Sequence, residues 1–196
     1  MKLIAATQNI GKLNEFERIL APLGFEIISL QEAGVDIAVE ETGSTFAENS
    51  KLKAMAIFKA TGIPAIADDS GLCVEAMQLR PGVYSARYCG ENSGYDVKIK
   101  SLIKELDGIP KEKRTAYFES AICLVVAEDK ILECSGRSYG WIGFEPQGTE
   151  GFGYDPIFML GNRSYAQMAQ NEKDAVSHRG IALTKLYKIL RNARLA

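Results

Sequence analysis

Residues 2–30 read KLIAATQNIGKLNEFERILAPLGFEIISL and predict the fold class of the chain. Lys2 to Thr7 is a short apolar, strand-like run, and Phe25 to Leu30 is a second one. Between them, apolar residues recur at the helical spacing of positions 13, 16, 20 and 23. A strand, a helix and a second strand in this order are typical of α/β proteins.

The turn between the first strand and the helix, residues 7–12 (TQNIGK), is polar. A helix N-terminus presents unpaired N–H groups and the positive end of its dipole, so a hydroxyl, an amide, a glycine and a lysine at this place suit a phosphate. Asparagine and glycine also begin many helices as simple caps, and the Walker A pattern is absent. Phosphate binding and capping both stay open for this turn.

A second stretch, residues 64–72 (PAIADDSGL), joins an apolar strand to two adjacent acids, Asp68 and Asp69. Neighbouring side chains of an extended chain point to opposite faces. One acid is therefore expected to enter a site and the other to face the layer behind it. A divalent cation relieves their repulsion most easily, and carboxylate oxygens suit Mg²⁺. A solvated turn is the alternative, because Asp, Ser and Gly are ordinary turn residues.

The segment before this strand adds charged candidates for the same site. Residues 45–48 (TFAE) match a capping box and predict a helix from about Phe46 to Ala60, with Gly62 as its stop. Glu41 lies just before the helix and is expected to add a carboxylate to the acidic pair. Favourable placement of an acid near a helix N-terminus is the alternative. Lys53, on the helix, is expected to face the same site.

Residues 148–156 (GTEGFGYDP) combine three glycines with two aromatic side chains. Glycines let a backbone pass close to a ligand, and Asp155 before Pro156 is held extended. A flexible glycine turn is the alternative. We favour a ligand contact, because Phe152 and Tyr154 on either side of Gly153 offer a stacking face to a base-sized planar group.

Near the C-terminus, Ser177 is a predicted N-cap of a terminal helix, which places His178 and Arg179 in its first turn. Cations there oppose the helix dipole, so an anion or a hydrogen-bond acceptor is expected beside them. A lone histidine is more often structural than catalytic, and His178 without Arg179 would count for little.

The remaining segments complete a single predicted domain, residues 1–196. Apolar residues at 99, 102, 103 and 106 predict a helix, and its lysines, Lys98, Lys100 and Lys104, are assigned to a solvated face. Residues 114–127 and 131–139 predict a strand and its antiparallel hairpin partner. No linker or internal repeat interrupts this pattern.

Composition excludes several classes of protein. The 196 residues are 46% hydrophobic and 24% charged, with a net charge of −2, which argues against a general nucleic-acid coat protein. Four dispersed cysteines and one histidine do not form a zinc pattern. The start resembles no signal peptide, and no apolar run approaches the ~20 residues that span a bilayer. A cytoplasmic protein is therefore expected.

Six motifs, in one order along the whole chain, closely resemble the inosine triphosphate pyrophosphatase family, also called XTP/dITP diphosphatases. No motif position departs from the family pattern. The motifs are Thr7-x-Asn9-x-x-Lys12, Glu41-Thr42-Gly43-x-Thr45-Phe46-x-Glu48-Asn49, Ala67-Asp68-Asp69-Ser70-Gly71, Pro81-Gly82-Val83-Tyr84-Ser85-Ala86-Arg87, Gly151-Phe152-Gly153-Tyr154-Asp155-Pro156 and Ser177-His178-Arg179.

The resemblance implies an elongated mixed β-sheet flanked by helices, with two lobes around a central nucleotide-binding cleft, usually in a homodimer. It also implies Mg²⁺-dependent hydrolysis of non-standard purine nucleoside triphosphates (ITP, dITP, XTP) to the monophosphate and pyrophosphate, which cleanses the nucleotide pool. The expected partners are these small molecules, not nucleic acid or membrane.

The resemblance also implies residue roles. Asp69 is the implied proton acceptor, and the metal ligands are drawn from Glu41, Asp68 and Asp69, with their division left open. The implied contacts to the triphosphate are Thr7, Gln8, Asn9, Ile10, Gly11, Lys12, Ser70 and Lys173, with Lys53 as a further neutralising cation. The implied enclosure of the base is Phe152, Gly153, Tyr154, Asp155, His178 and Arg179.

Two other functions stay open at this point. One is a related pyrophosphatase that acts on modified pyrimidines or on standard nucleotides. The other is a nucleotide-sensing module that binds without turnover. The sensor is less favoured, because a module that only binds a triphosphate has less need of three acids near it.

Overall fold

A computed structural model describes residues 1–193. The α-helices are α1 (Ile10–Leu20), α2 (Phe46–Thr61), α3 (Tyr95–Glu105), α4 (Gln170–Val176) and α5 (His178–Asn192). The strands are β1 (Lys2–Ala5), β2 (Glu26–Ile28), β3 (Ala65–Val74), β4 (Arg80–Pro81), β5 (Thr115–Ala127), β6 (Lys130–Ile142), β7 (Phe158–Leu160) and β8 (Arg163–Ser164). None of the helices in this range is long and apolar enough to cross a membrane.

Within the described range, eight strands form one mixed sheet in the order β2-β1-β3-β5-β6-β7-β8, with β4 paired to β3. β1 is parallel to both β2 and β3, because α1 and α2 provide the crossover connections that parallel strands need. β7 is antiparallel to β6 and β8. The mixed sheet with its helices confirms the predicted α/β class.

The chain divides into two compact units. The first unit comprises residues 1–69, 120–136 and the segment that begins at 178, and the second unit comprises residues 70–119 and 137–177. In the first unit, consecutive residues of β1 enter different cores: Leu3 packs with Phe16 and Leu183, whereas Ile4 packs with Ile57. Helices therefore cover both faces of its parallel strands, as expected for buried strands of this kind.

The second unit has one core. Its aromatic centre is Phe118, Phe158 and Tyr165, whose rings lie 4.8–6.0 Å apart between centroids. The buried stripe predicted for α3 is confirmed, because Ile99, Leu102 and Leu106 belong to this core. The prediction that Lys98 is solvated is wrong, since this side chain is only 3% exposed.

The helix termini follow the local sequence signals. The Thr45 hydroxyl and the Glu48 carboxylate form the predicted capping box of α2. Gly62 ends that helix in a left-handed conformation with φ of 68°, which glycine adopts without strain. The terminal helix begins at His178 as predicted. The separate short helix α4, which carries Lys173, was not predicted.

Candidate active site

The end of the parallel part of β3 holds Asp68 in a fully buried position. Its Oδ2 atom lies 2.8 Å from Lys12 Nζ and 3.0 Å from Arg179 Nη2, and its Oδ1 atom accepts a hydrogen bond from the Ser120 hydroxyl. The carboxylate has no solvent exposure. Two cations and one hydroxyl therefore hold this acid inside the first unit.

Arg179 is bound by a second acid that the sequence did not single out. Its Nη1 atom donates to the Glu15 carboxylate, and both side chains are buried. Glu15 lies three residues after Lys12 on α1, a spacing that places both on one helical face. The result is an alternating chain of charges that we call the buried quartet: Glu15, Arg179, Asp68 and Lys12.

The quartet shifts the pKa of each group in a direction set by its neighbours. Burial alone would raise the pKa of Asp68, but Arg179 and Lys12 outweigh it and hold that pKa well below its usual range. Burial opposes the charge of Arg179 as well, yet Asp68 and Glu15 raise its pKa. Burial lowers the pKa of Lys12 in spite of the Asp68 charge. Asp68 is therefore firmly ionised.

Asp69, the next residue, meets a different environment. Its Oδ2 atom accepts from Asn49 Nδ2 at 3.0 Å, and its Oδ1 atom lies 3.6 Å from Lys53 Nζ. Lys53 also donates to Glu41 at 2.6 Å and to the Asp68 carbonyl at 2.9 Å. Burial raises the pKa of Asp69, and the nearby lysines only partly offset this. The pKa values of the two adjacent acids are therefore shifted in opposite directions.

The same contacts test whether the residues fit a divalent cation. Glu41 and Asp69 share a single ammonium group, that of Lys53, so a positive charge already lies between two hard oxygen ligands. Asp68 differs, because its carboxylate oxygens are engaged by the quartet and Ser120. No cluster of three or more metal-ligating side chains occurs in residues 1–193. Mg²⁺ typically uses one or two carboxylates and completes its shell with water and phosphate oxygens, so Glu41 and Asp69 fit it.

The polar turn before α1 leads into Lys12, the lysine that contacts Asp68. The Asn9 side chain caps the helix by accepting from Lys12 N at 3.1 Å, and Thr7 accepts from Asn9 N at 3.1 Å. Gln8 and Gly11 flank this cap, and Ile10 is 73% exposed. The geometry thus establishes the capping role of Asn9.

In the second unit, the glycine-aromatic turn is built around a buried ion pair. Lys173 Nζ lies 2.6 Å from Asp155 Oδ2, and the same oxygen accepts from Phe152 N at 2.8 Å. Lys173 also lies 4.7 Å from the centre of the Phe152 ring. A Cβ on Gly151, whose φ is 76°, would come within 2.1 Å of the Asp155 carboxylate, so this position requires glycine.

The two aromatic residues of the turn are not equivalent. Tyr154 is only 2% exposed, and its hydroxyl donates to the Ser85 carbonyl at 3.0 Å. Phe152 is half-buried. Phe152 is therefore the ring that the turn can present to a ligand. Tyr154 instead holds the turn in place through its buried ring and its hydrogen bond to Ser85.

His178 and Ser70 complete the predicted site residues. His178 is 5% exposed at the start of α5. Its carbonyl would lie 2.3 Å from a Cβ on Gly136, so glycine allows β6 to approach α5 closely. Ser70 follows Asp69 on β3 and is half-buried.

Comparison with known proteins identifies the family of this chain. The family model described as "Ham1 family" matches residues 3–189. The chain belongs to the Ham1 family. This match confirms the resemblance drawn from the six motifs.

Individual relatives agree with the family match. A dITP/XTP pyrophosphatase of Bacillus subtilis (strain 168) is 45% identical over 189 residues, covering 95% of this chain and 96% of the relative. One from Escherichia coli O157:H7 is 46% identical over 198 residues, covering 97% and 98%. A HAM1 protein from Coxiella burnetii has a TM-score of 0.88 at 40% identity, covering 98% of this chain and 99% of that one. The Staphylococcus aureus Ham1 protein has a TM-score of 0.87 at 37% identity, covering 98% and 100%.

For this Ham1 family chain, sequence reasoning missed three residues that contact the acids: Glu15, Asn49 and Ser120. Asn49 appears in the sequence analysis only as the last residue of the second motif, with no role assigned to it. The Lys12-x-x-Glu15 spacing on α1 was a usable signal for a shared helical face. Nothing local marks Ser120, which meets Asp68 across 52 residues of sequence.

Proposed function

We propose that this chain is a Mg²⁺-dependent nucleoside triphosphate pyrophosphatase that converts ITP, dITP and XTP into the monophosphate and pyrophosphate, and so cleanses the nucleotide pool. The observation that carries the proposal is the contrast between the two adjacent acids. Asp68 is held ionised by Arg179 and Lys12, whereas Asp69 has a raised pKa beside Lys53 and Glu41. The relatives named dITP/XTP pyrophosphatase support the substrate class.

The triphosphate requires positive charge, because its own charges repel both an attacking water and a carboxylate base. Lys12 and Lys53 are the two lysines beside the acidic centre, which we define as Glu41, Asp68 and Asp69. Their side chains are 15% and 13% exposed. Residues 7–12 would contribute backbone N–H groups at the start of α1. Ser70 and Lys173 remain proposed phosphate contacts, although Lys173 already neutralises Asp155.

Glu41 and Asp69 would hold the Mg²⁺. When bound, the ion neutralises phosphate charge and polarises the phosphoryl oxygens. Asp68 is better suited to another role, because its carboxylate already serves three partners. It would fix Lys12 and Arg179 rather than ligate the metal.

Asp69 is the proposed general base. A carboxylate beside a bound cation stays ionised, so Asp69 could accept a proton from a water molecule that it orients. Asn49 holds one carboxylate oxygen in place. Asp69 would orient and deprotonate the water that attacks the α-phosphorus, with pyrophosphate as the leaving group.

Base selection would depend on His178 and Arg179 as donors to a 6-oxo group, and on Phe152 as a stacking surface, with Gly153, Tyr154 and Asp155 shaping its turn. His178 and Arg179 are at most 5% exposed. A donor group of theirs that finds no acceptor on the base could therefore not hydrogen-bond to water instead. Adenine presents an amino group instead of the oxygen, and each unmatched donor costs ~1–3 kcal/mol. Two such losses give roughly 10²-fold rejection of ATP.

The family resemblance further supports a cytoplasmic homodimer, folded as one domain with two lobes. Light scattering of the purified chain at micromolar concentration tests the dimer, which a monomer mass would contradict.

Incubation of the purified protein with ITP and Mg²⁺ tests the reaction. IMP and pyrophosphate are the expected products, and release of orthophosphate, or of nothing, would overturn the proposal. A panel of ITP, XTP, GTP, ATP and dUTP separates it from a pyrophosphatase of pyrimidine or standard nucleotides. A protein that binds ITP with Mg²⁺ but never releases product would be the sensor.

A further inference from the structure

Lys98, on α3 in the second unit, is a buried cation outside the acidic centre. It is 3% exposed, its Nζ donates to the Ala86 carbonyl at 2.6 Å, and it lies 4.9 Å from the centre of the Tyr95 ring. Among residues 1–193, no carboxylate lies within ion-pair distance of it. Burial of an ammonium group without a counter-ion is costly. A methionine would fill the same space more cheaply, so the contribution of the lysine lies in these two polar contacts.

Both contacts lead to groups that support Tyr154. The hydroxyl of Tyr154 donates to the Ser85 carbonyl at 3.0 Å, directly before the carbonyl that Lys98 holds. The Tyr95 ring meets the Tyr154 ring edge-on at 5.3 Å. The same ring lies 3.5 Å from the Cβ position of Gly153. Tyr95 and Lys98, one helical turn apart on α3, therefore support the loop at 152–155. Lys98 acts through the adjacent Ser85 and Ala86 carbonyls, and Tyr95 acts through its ring.

The carbonyl pair is itself rigidly held. The Ser85 hydroxyl accepts from Leu72 N at 2.9 Å and donates to the Gly82 carbonyl at 2.6 Å. Lys98 adds a third fixed point at Ala86. The Ser85 carbonyl that accepts from Tyr154 therefore belongs to a loop held by three further hydrogen bonds.

We propose that Tyr95 and Lys98 are positioning residues for base recognition. They hold Gly153 and Tyr154, and thereby fix the orientation of Phe152, the ring assigned to the base. This inference rests on the proposed function, which gives the turn at 152–155 to the base. Gly153 has a φ of 67°, and glycine samples many conformations when unsupported, so the turn depends on neighbours for its shape.

Lys98→Met tests the role of the ammonium while it keeps the length of the side chain. Lys100→Met, an exposed lysine of the same helix, is the matched control. Loss of a hydrogen bond from a charged donor predicts roughly 10-fold weaker IMP binding and a similar rise in KM for ITP. We expect kcat to stay within about 2-fold and the affinity for pyrophosphate to be unchanged. Lys98→Arg, which restores a cationic donor, should recover part of the affinity.

Equal weakening of IMP and pyrophosphate binding would overturn the proposal, because that pattern indicates general loss of structure. Unchanged IMP binding would overturn it too. Amide hydrogen exchange supplies a readout that needs no substrate: residues 151–155 should exchange faster in Lys98→Met than in Lys100→Met, while the unfolding temperature is unchanged or higher. Equal exchange in the two variants refutes the positioning role, whereas failure of the wild-type protein to cleave ITP refutes only the proposed function.

Discussion

Replacement of Asp68 and Asp69 by asparagine, one at a time, should separate folding from chemistry. The two residues are adjacent, have the same side chain and differ in their contacts. Asp68→Asn is expected to destabilise the protein strongly. Asp69→Asn is expected to lower turnover by orders of magnitude and to leave stability unchanged or improved.

The magnitude for Asp68 follows from the buried quartet. Asp68→Asn removes the carboxylate that pairs with both the buried Arg179 and the partly exposed Lys12. Loss of one partner from a buried ion pair costs ~3–5 kcal/mol. A chain of about this length loses roughly 2–4 °C per kcal/mol, so the unfolding midpoint should fall by about 6–20 °C.

The prediction for Asp69 has the opposite sign. Burial raises its pKa above the usual 3.8, which means that the folded protein disfavours its charge. Such a carboxylate lowers stability at pH values above its folded pKa, and this cost disappears as the pH falls below its unfolded value. In EDTA, Asp69→Asn should therefore match or exceed the wild type in stability at pH 7, with a difference that shrinks toward pH 4. Loss of a general base predicts a fall in turnover of roughly 10²–10⁴-fold.

Thermal unfolding by circular dichroism and pyrophosphate release from ITP measure the two effects. An Asp68→Asn variant that unfolds within about 2 °C of the wild type would contradict the role of Asp68 as a counter-ion. An Asp69→Asn variant that turns over ITP at the wild-type rate would remove that residue from catalysis. Nucleotide binding by Asp69→Asn, followed by calorimetry, controls for loss of the site.

Three further outcomes follow from single contacts. Glu41→Gln should raise the Mg²⁺ concentration for half-maximal turnover at least ~10-fold, and magnesium titration against Glu40→Gln, at an exposed neighbouring acid, checks this; equal titration curves would exclude Glu41 as a ligand. Gly151→Ala should lower the unfolding midpoint and raise KM for ITP, because its Cβ meets Asp155 at 2.1 Å; unchanged KM would contradict the assigned turn. Lys173→Met should cost ~3–5 kcal/mol by removing the ammonium group that pairs with the buried Asp155 carboxylate, and a double-mutant cycle with Asp155→Asn should recover part of it; additive losses would mean that the pair is not coupled.

Local signals in the sequence predicted the elements of the fold well. The capping box at Thr45 and the stop at Gly62 gave the limits of α2 to within a residue, because both signals act through hydrogen bonds of the adjacent backbone. The predicted C-terminal limit of β6 was three residues short. The strand extends to Ile142 rather than Tyr139, since strand length depends on the partners that pair with it.

Contacts between residues that are distant in the sequence could not be predicted from it. Arg179 meets Asp68 and Glu15 across 111 and 164 residues, and no spacing rule connects such positions. The error at Lys98 was avoidable by contrast. It lies three residues after Tyr95 and four before Leu102, on the apolar stripe of α3, so helical periodicity marked it as buried while its charge suggested the opposite.

Under the proposed function, the charges around Asp68 and Asp69 give a reason for a metal and a nucleotide to bind together. The buried quartet is formally neutral, with two acids and two cations. Outside it, Glu41 and Asp69 both contact the ammonium group of Lys53, so acidic groups outnumber cations in this set of three side chains. A triphosphate without a metal would add several more negative charges beside this excess, whereas a divalent cation reverses the local sign. The adjacency of Asp68 and Asp69 on one strand produces this division, because successive side chains of a strand point to opposite faces, which gives Asp68 its contacts with Lys12 and Arg179 and gives Asp69 its contacts with Lys53 and Asn49.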